Sequence, residues 1–144
     1  MATINPYLNF LGNTEEAFNF YRSVFGGEFS ILQRYKGIPE ATKNLSAEDA
    51  EKLMHISLPI GNDNVLMGTD ALGSMGQNLV VGNNFYLSVS TVSEAETEKI
   101  FNGLSAGGEI TMPLQKTFWS AYFGMLTDKF GTQWMVNFDN NEQE

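Results

Sequence analysis

A chain of 144 residues and 16.0 kDa has the size of one ordinary domain or at most two small ones, and 42% hydrophobic against 17% charged residues suffices for a packed core, which excludes a disordered tail. Eight Lys and Arg against 17 Asp and Glu leave a formal charge of −9, a sign that repels phosphate backbones and anionic lipid, so neither a nucleic-acid nor a membrane partner is expected. Cysteine is absent, which excludes disulfides, thiolate nucleophiles and sulfur-ligated metal centres.

No run of apolar residues approaches the roughly 18 that a membrane-spanning helix needs, and MATINPYLNF has no basic segment followed by an apolar block, so a cytoplasmic protein is expected. Residues 3–11, TINPYLNFL, mix β-branched and aromatic residues and end at Gly12, which predicts a first strand. A helix follows, opened by a capping-box pattern at Asn13 and Glu16, striped by Ala17, Phe20, Tyr21, Val24 and Phe25, and stopped by Gly26 and Gly27. Residues 28–36 predict a second strand with Phe29, Ile31 and Gln33 on one face, and the segment after Gly37 and Pro39 predicts a loop with one short helix capped by Ser46. MHISLPIG (54–61) and NVLMGTD (64–70), separated by Gly61, Asn62 and Asp63, predict a hairpin. Residues 71–82 are glycine-rich and uncharged, as a connector would be.

The order then repeats. NFYLSVST (84–91) alternates as a strand; Ser93 with Glu96 forms a capping box; Ile100, Phe101 and Leu104 stripe a helix that Gly107 and Gly108 end. Strands are predicted at 109–114, 118–128 and 132–138, with a polar, fraying tail at 140–144. Both halves, 1–70 and 83–138, therefore read β-α-β-β-β. Glu15-Glu16-Ala17 recurs as Ser93-Glu94-Ala95 and Gly26-Gly27-Glu28 as Gly107-Gly108-Glu109; Ala17 to Ala95 is 78 positions and Gly27 to Gly108 is 81, as a tandem duplication with one longer helix would give. One such unit has a helix on only one face of its sheet, so the expectation is α+β, with the two sheets curling into an open, cup-shaped site shared by the halves.

The repeat, with PYLNFLGNTEEAFNFYRSVFGG (6–27), the His55 strand, FWSAYFG (118–124) and DKFGTQWMV (128–136), resembles the glyoxalase and bleomycin-resistance superfamily, the vicinal oxygen chelate proteins, and within it the PhnB-like branch. The resemblance covers the whole chain and implies a single glyoxalase-like domain over 1–144 and a homodimer, which would also protect open strand edges. Proteins of this branch have been labelled demethylubiquinone methyltransferases. No strand–loop–helix with a glycine fingerprint supports that label here.

Metal-dependent members of the superfamily carry His, Glu or Gln ligands on the first and last strands of each half. On this chain those positions fall at Pro6 or Tyr7, Met67, Asn84 and Met135, none a strong donor, and shifting each strand by one residue changes nothing. No metal and no cofactor are therefore expected. His55, the single histidine, shares a strand face with Ser57 and suits either a general base or an ordinary hydrogen-bonded core histidine. No G-x-S-x-G elbow accompanies it, and Gly73-Ser74-Met75-Gly76 has the wrong spacing. Aromatic residues are the richer pattern: Tyr7, Tyr86, Phe118, Trp119, Tyr122, Phe123 and Trp134 all fall in predicted strands, and alternation sends about half of them away from the helices.

The expected function is thus metal-independent binding of a small aromatic or apolar molecule by Tyr7, Met67, Asn84, Tyr86, Trp119 and Met135. The rival expectation is a metal-independent isomerase or lyase with His55 as general base and Tyr122 or Tyr7 as acid. The acidic cluster Glu48, Asp49 and Glu51 reads as a solvated helix face.

Overall fold

The computed structural model describes residues 2–75, 77–119 and 121–139. The tail 140–144, and Gly76 of the Gly73–Gly76 motif, lie outside the described residues. The chain forms two compact units, Met1–Val80 and Val81–Glu144, and the break falls inside the expected connector.

In the first unit, strand β1 (Tyr7–Phe10), helix α1 (Thr14–Phe25), strand β2 (Ile31–Arg34), short helices α2 (Pro39–Thr42) and α3 (Ala47–Ala50), and strands β3 (Leu53–Ile60) and β4 (Asn64–Asp70) build a mixed sheet of order β1-β4-β3-β2. β1 runs parallel to β4 and the other pairs are antiparallel. The second unit repeats this with β5 (Leu87–Ser90), α4 (Glu94–Ser105), β6 (Glu109–Lys116), β7 (Ala121–Thr127) and β8 (Gln133–Asp139), in the order β5-β8-β7-β6. The β-α-β-β-β repeat read from the sequence is the observed architecture, with α2 as an addition.

Helix α1 stops where Gly26 adopts φ 80° and its N–H returns to the Arg22 carbonyl at 2.7 Å, a left-handed conformation that suits glycine. Its start differs from the predicted capping box, because the Asn13 side chain caps nothing. Asp70 at the end of β4 does so instead: its Oδ1 accepts the Thr14 N–H at 3.0 Å and the Thr14 hydroxyl at 2.6 Å, and its Oδ2 accepts the Leu53 N–H at 2.8 Å. A buried carboxylate aimed at a helix N-terminus meets both the orphan N–H groups and the positive end of the dipole. In α4 the predicted cap forms, with the Ser93 hydroxyl accepting from the Glu96 N–H at 3.1 Å, while the Glu96 carboxylate accepts from the Val92 N–H at 3.0 Å, one residue ahead of the N–H that a capping box uses.

The core of each unit lies between one helix and one sheet face. α1 buries Thr14, Ala17, Phe18 and Tyr21, so Phe18, outside the predicted stripe, is the deeply packed ring and Phe20 is half-buried. α4 buries Thr97 with the three predicted residues Ile100, Phe101 and Leu104. Beneath each helix phenylalanine sits a glycine. A Cβ on Gly68 would stand 2.6 Å from Phe18 Cε1, and one on Gly124 would stand 2.6 Å from Phe101 Cε1. Gly68 pairs with Ile56 and Gly124 pairs with Val136, so each unit sets one glycine opposite one branched residue. The glycine is on β4 in one unit and on β7, the counterpart of β3, in the other. The duplicated cores thus keep their volume while exchanging which strand gives way, as close packing demands.

Candidate functional site

Because strand side chains alternate, packing Leu8, Ile56, Leu66 and Gly68 beneath α1 sends their neighbours to the opposite face, which carries no helix of its own unit. The ladder sets Tyr7 beside Met67, Met67 beside Ser57, Ser57 beside Ile31 and His55 beside Gln33. On this face the Tyr7 hydroxyl lies 3.0 Å from His55 Nδ1, and His55 Nε2 lies 2.8 Å from the Ser57 hydroxyl. The Tyr7 and His55 ring centroids are 5.5 Å apart at 35°. Ser57 is 3% exposed and Tyr7 45%. Burial raises the Tyr7 phenol above its ordinary pKa, against a smaller downward pull from the Thr69 hydroxyl.

In the second unit the corresponding positions are Ser88 beside Met135, Met135 beside Met125, Met125 beside Met112 and Phe123 beside Gln115. Trp119, half-exposed in the turn after β6, packs its ring 6.2 Å from Phe123 and 4.8 Å from Phe118. This face mixes thioethers and the Phe123 ring, which adapt to ligand shape, with polar side chains, since Asn137 stands beside Phe123 and Ser88 and Gln115 lie on it too.

The expected site residues fare differently from one another. Tyr7, Met67 and His55 come together on the helix-free face of the first sheet, and Met135 lies on that of the second. Trp119 belongs to a turn and not to a strand, yet its ring lies against the same face through Phe123. Asn84 and Tyr86 precede β5, contrary to the strand expected from 84: the ladder begins at Leu87, and before it the Gln133 side chain donates to the Phe85 carbonyl at 2.7 Å in place of a strand partner. Ser88, missed in the sequence, takes the position expected for Asn84. Phe118 also lies outside any strand and is 95% exposed.

Tyr122 is placed on the helix side of β7, where its hydroxyl donates to Glu98 of α4 at 3.0 Å; burial first and the Glu98 carboxylate second raise its phenol. Gly124, two residues on, packs under Phe101, so the phase of the strand puts Tyr122 on the same helix-bearing face. Trp134 is likewise core, donating its indole N–H to Asp128 at 2.8 Å. Met125, overlooked in the sequence, joins Phe123 on the other face because Gly124 between them packs under the helix.

The strand positions that the resemblance led one to expect as metal-ligand positions hold phenol, thioether, hydroxyl and thioether groups, Tyr7 paired with Met67 and Ser88 paired with Met135. These do not fit a hard divalent ion, which takes imidazole or carboxylate donors. Among the described residues no cluster of three His, Asp or Glu side chains is placed to share a metal ion, and no helix is long and apolar enough to cross a membrane. A groove on the helix side of the first unit, bordered by Glu15, Arg34, Glu51 and Lys52, is spanned by the chain's own ion pairs. Arg34 meets Glu15 at 2.8 Å, Lys36 meets Glu51 at 3.0 Å and Lys52 meets Asp49 at 2.9 Å, so its cations are already engaged.

The family model described as 3-demethylubiquinone-9 3-methyltransferase matches residues 2–137. Protein YjdN of Escherichia coli K12 is 32% identical over 142 residues, covering 93% of each chain. The solved structure of protein PA1353 from Pseudomonas aeruginosa is similar at TM-score 0.83 and 37% identity, covering 96% of this chain and 98% of that one. A structure from Bacillus cereus, described as a putative 3-demethylubiquinone-9 3-methyltransferase and PhnB protein, is similar at TM-score 0.75 and 28% identity, covering 95% and 99%. Structures described as glyoxalase/bleomycin resistance proteins share the fold alone, at 15–18% identity. The family match over residues 2–137 places this chain in the family described as 3-demethylubiquinone-9 3-methyltransferase, and it shares the fold of structures described as glyoxalase/bleomycin resistance proteins.

Proposed function

We propose that the chain binds a small, planar, apolar or aromatic organic molecule on the helix-free faces of its sheets, without a metal ion. The observations that carry this reading are the phenol and thioether of Tyr7 and Met67 on the helix-free face of the first sheet, the hydroxyl and thioether of Ser88 and Met135 on that of the second, and an exposed ring in each unit, Tyr7 in the first and Trp119 in the second. Thioethers and rings bind apolar molecules by dispersion and area burial and ions poorly. The test is quenching of tryptophan fluorescence by a panel of planar aromatic molecules. Both tryptophans, Trp119 and Trp134, lie in the second unit, and only Trp119 is exposed. Saturable quenching supports the reading, with Trp119→Phe binding the same molecule about tenfold more weakly by titration calorimetry, in line with a stacked ring's share of binding; a panel without saturable binding refutes it.

A homodimer belongs to the same proposal. Each unit has an edge strand with apolar side chains in solvent, Ile31 and Leu32 on β2 and Ile110 and Met112 on β6, and a second copy would cover such edges. Sedimentation equilibrium giving twice the chain mass supports it, and a monomer at micromolar concentration refutes it.

A second reading, a metal-independent isomerase or lyase with His55 as general base, is favoured by the 3.0 Å contact between His55 and Tyr7. It requires that His55→Ala abolish turnover of a bound molecule while leaving the fold and the binding intact.

A further inference from the structure

The geometry points to Tyr7 as an oriented hydrogen-bond donor, aimed by a relay through His55 and Ser57 at a carbonyl or anionic oxygen of the bound molecule. This rests on the binding reading above and names the chemistry at one end of its ligand.

The argument begins at the buried end. A hydroxyl proton out of reach of water needs an acceptor, and leaving it without one is costly. Ser57 is 3% exposed, and the partner beside its Oγ is His55 Nε2 at 2.8 Å. Ser57 therefore donates, and the Nε2 lone pair is used. The neutral imidazole then carries its own proton on Nδ1. That N–H faces the Tyr7 oxygen at 3.0 Å, so Tyr7 accepts from His55 and keeps its phenolic proton for a partner outside the relay. The reverse order, with Nε2–H donating to Ser57 and Tyr7 donating to Nδ1, strands the buried Ser57 proton.

The open end suits the task. Tyr7 is 45% exposed, and burial of its remainder raises its phenol, so it holds its proton at neutral pH. Donors in series polarise one another, which strengthens the last of them. The partner this selects is an oxygen acceptor: a ketone, an aldehyde, or an enolate, phenolate or carboxylate oxygen. The duplicated fold does not itself require the relay, since the second unit carries Phe123, Met125 and Ser88 at the positions of His55, Ser57 and Tyr7. In this tautomer His55 has no lone pair free to take a substrate proton, so it is a positioning residue for Tyr7, and the relay and the general-base reading above exclude one another.

One histidine in the chain makes the test clean. Two-bond proton–nitrogen correlation spectra of the histidine-labelled protein, without ligand, report the tautomer directly. The expected result is Nδ1–H, moving toward Nε2–H in Ser57→Ala. The wild-type spectrum alone decides this if that variant fails to fold, and a predominant Nε2–H form overturns the relay. With ligand, 2-acetylnaphthalene and its hydrocarbon counterpart 2-ethylnaphthalene are compared by fluorescence titration. The acetyl compound should bind about tenfold more tightly to the wild type, and Tyr7→Phe should erase that preference while keeping hydrocarbon affinity. An unchanged preference in Tyr7→Phe overturns the donor role. Binding of neither compound overturns the reading beneath the proposal and its ligand half with it, and is told apart because the tautomer is recorded without ligand.

Discussion

Adding one methyl group at Gly124 probes the packing that sets which residues face the helix and which face away. The new Cβ would lie 2.6 Å from Phe101 Cε1, 3.1 Å from Phe101 Cδ1 and 3.1 Å from Leu114 Cδ2, where carbon atoms ordinarily stand about 3.5–4.0 Å apart. Relieving the closest contact needs a shift on the order of 1 Å. Phe101 is 2% exposed and has nowhere to retreat except by lifting α4 from the sheet. Overpacking of this kind costs about 1–3 kcal/mol, or a fall in melting temperature on the order of 2–4 °C per kcal/mol for a chain of this size. Phe101→Leu removes the clashing ring edge, so the double variant should be more stable than the sum of the two single effects, by about 1–2 kcal/mol of coupling. Urea unfolding followed by tryptophan fluorescence suits the measurement, because Trp134 is buried in the same unit. A cost under about 0.5 kcal/mol for Gly124→Ala, or strict additivity with Phe101→Leu, would refute the packing argument and the face assignment built on it.

Two further outcomes follow from the same coordinates. Asp70→Ala removes a buried acceptor shared by Thr14 and Leu53 and leaves their N–H groups without a partner, so urea unfolding followed by circular dichroism should show a loss of about 3–5 kcal/mol; a loss under about 1 kcal/mol would mean water replaces the carboxylate. For Tyr7, the folded phenol holds its proton to higher pH than the unfolded one, so its contribution to stability is fully present below the unfolded value near 10 and is lost as pH rises through the folded value. The difference in absorbance at about 295 nm between wild type and Tyr7→Phe should show a phenol ionising above the ordinary tyrosine range, and ionisation at or below that range contradicts the burial argument.

The architecture was legible in the sequence because its signals are local and doubled. Two capping patterns, two glycine pairs at helix ends and two hydrophobic stripes fix the β-α-β-β-β order, and Ser93 caps α4 through the Glu96 N–H as its spacing predicts. What failed were features settled by tertiary contacts. Asn13 has the form of a cap, but Asp70, 57 positions later, supplies a stronger anion to the same helix end. Asn84 to Tyr86 alternate like a strand, yet β8 offers them no ladder partner ahead of Gln133. Tyr122 and Trp134 read as candidates for an open face because aromatic residues carry no phase of their own. The phase is set by Gly124 under Phe101, a close approach that is visible only in three dimensions. His55 and Ser57, by contrast, were readable as neighbours from their spacing of two in one strand.

The central claim, that the helix-free faces take a small organic molecule without a metal, is tested most directly by calorimetric titration of chelator-treated protein with 2-acetylnaphthalene, repeated after adding zinc, nickel or manganese. The account predicts saturable binding to the treated protein, with affinity unchanged by any of the three ions. Binding that appears only once an ion is restored would contradict it.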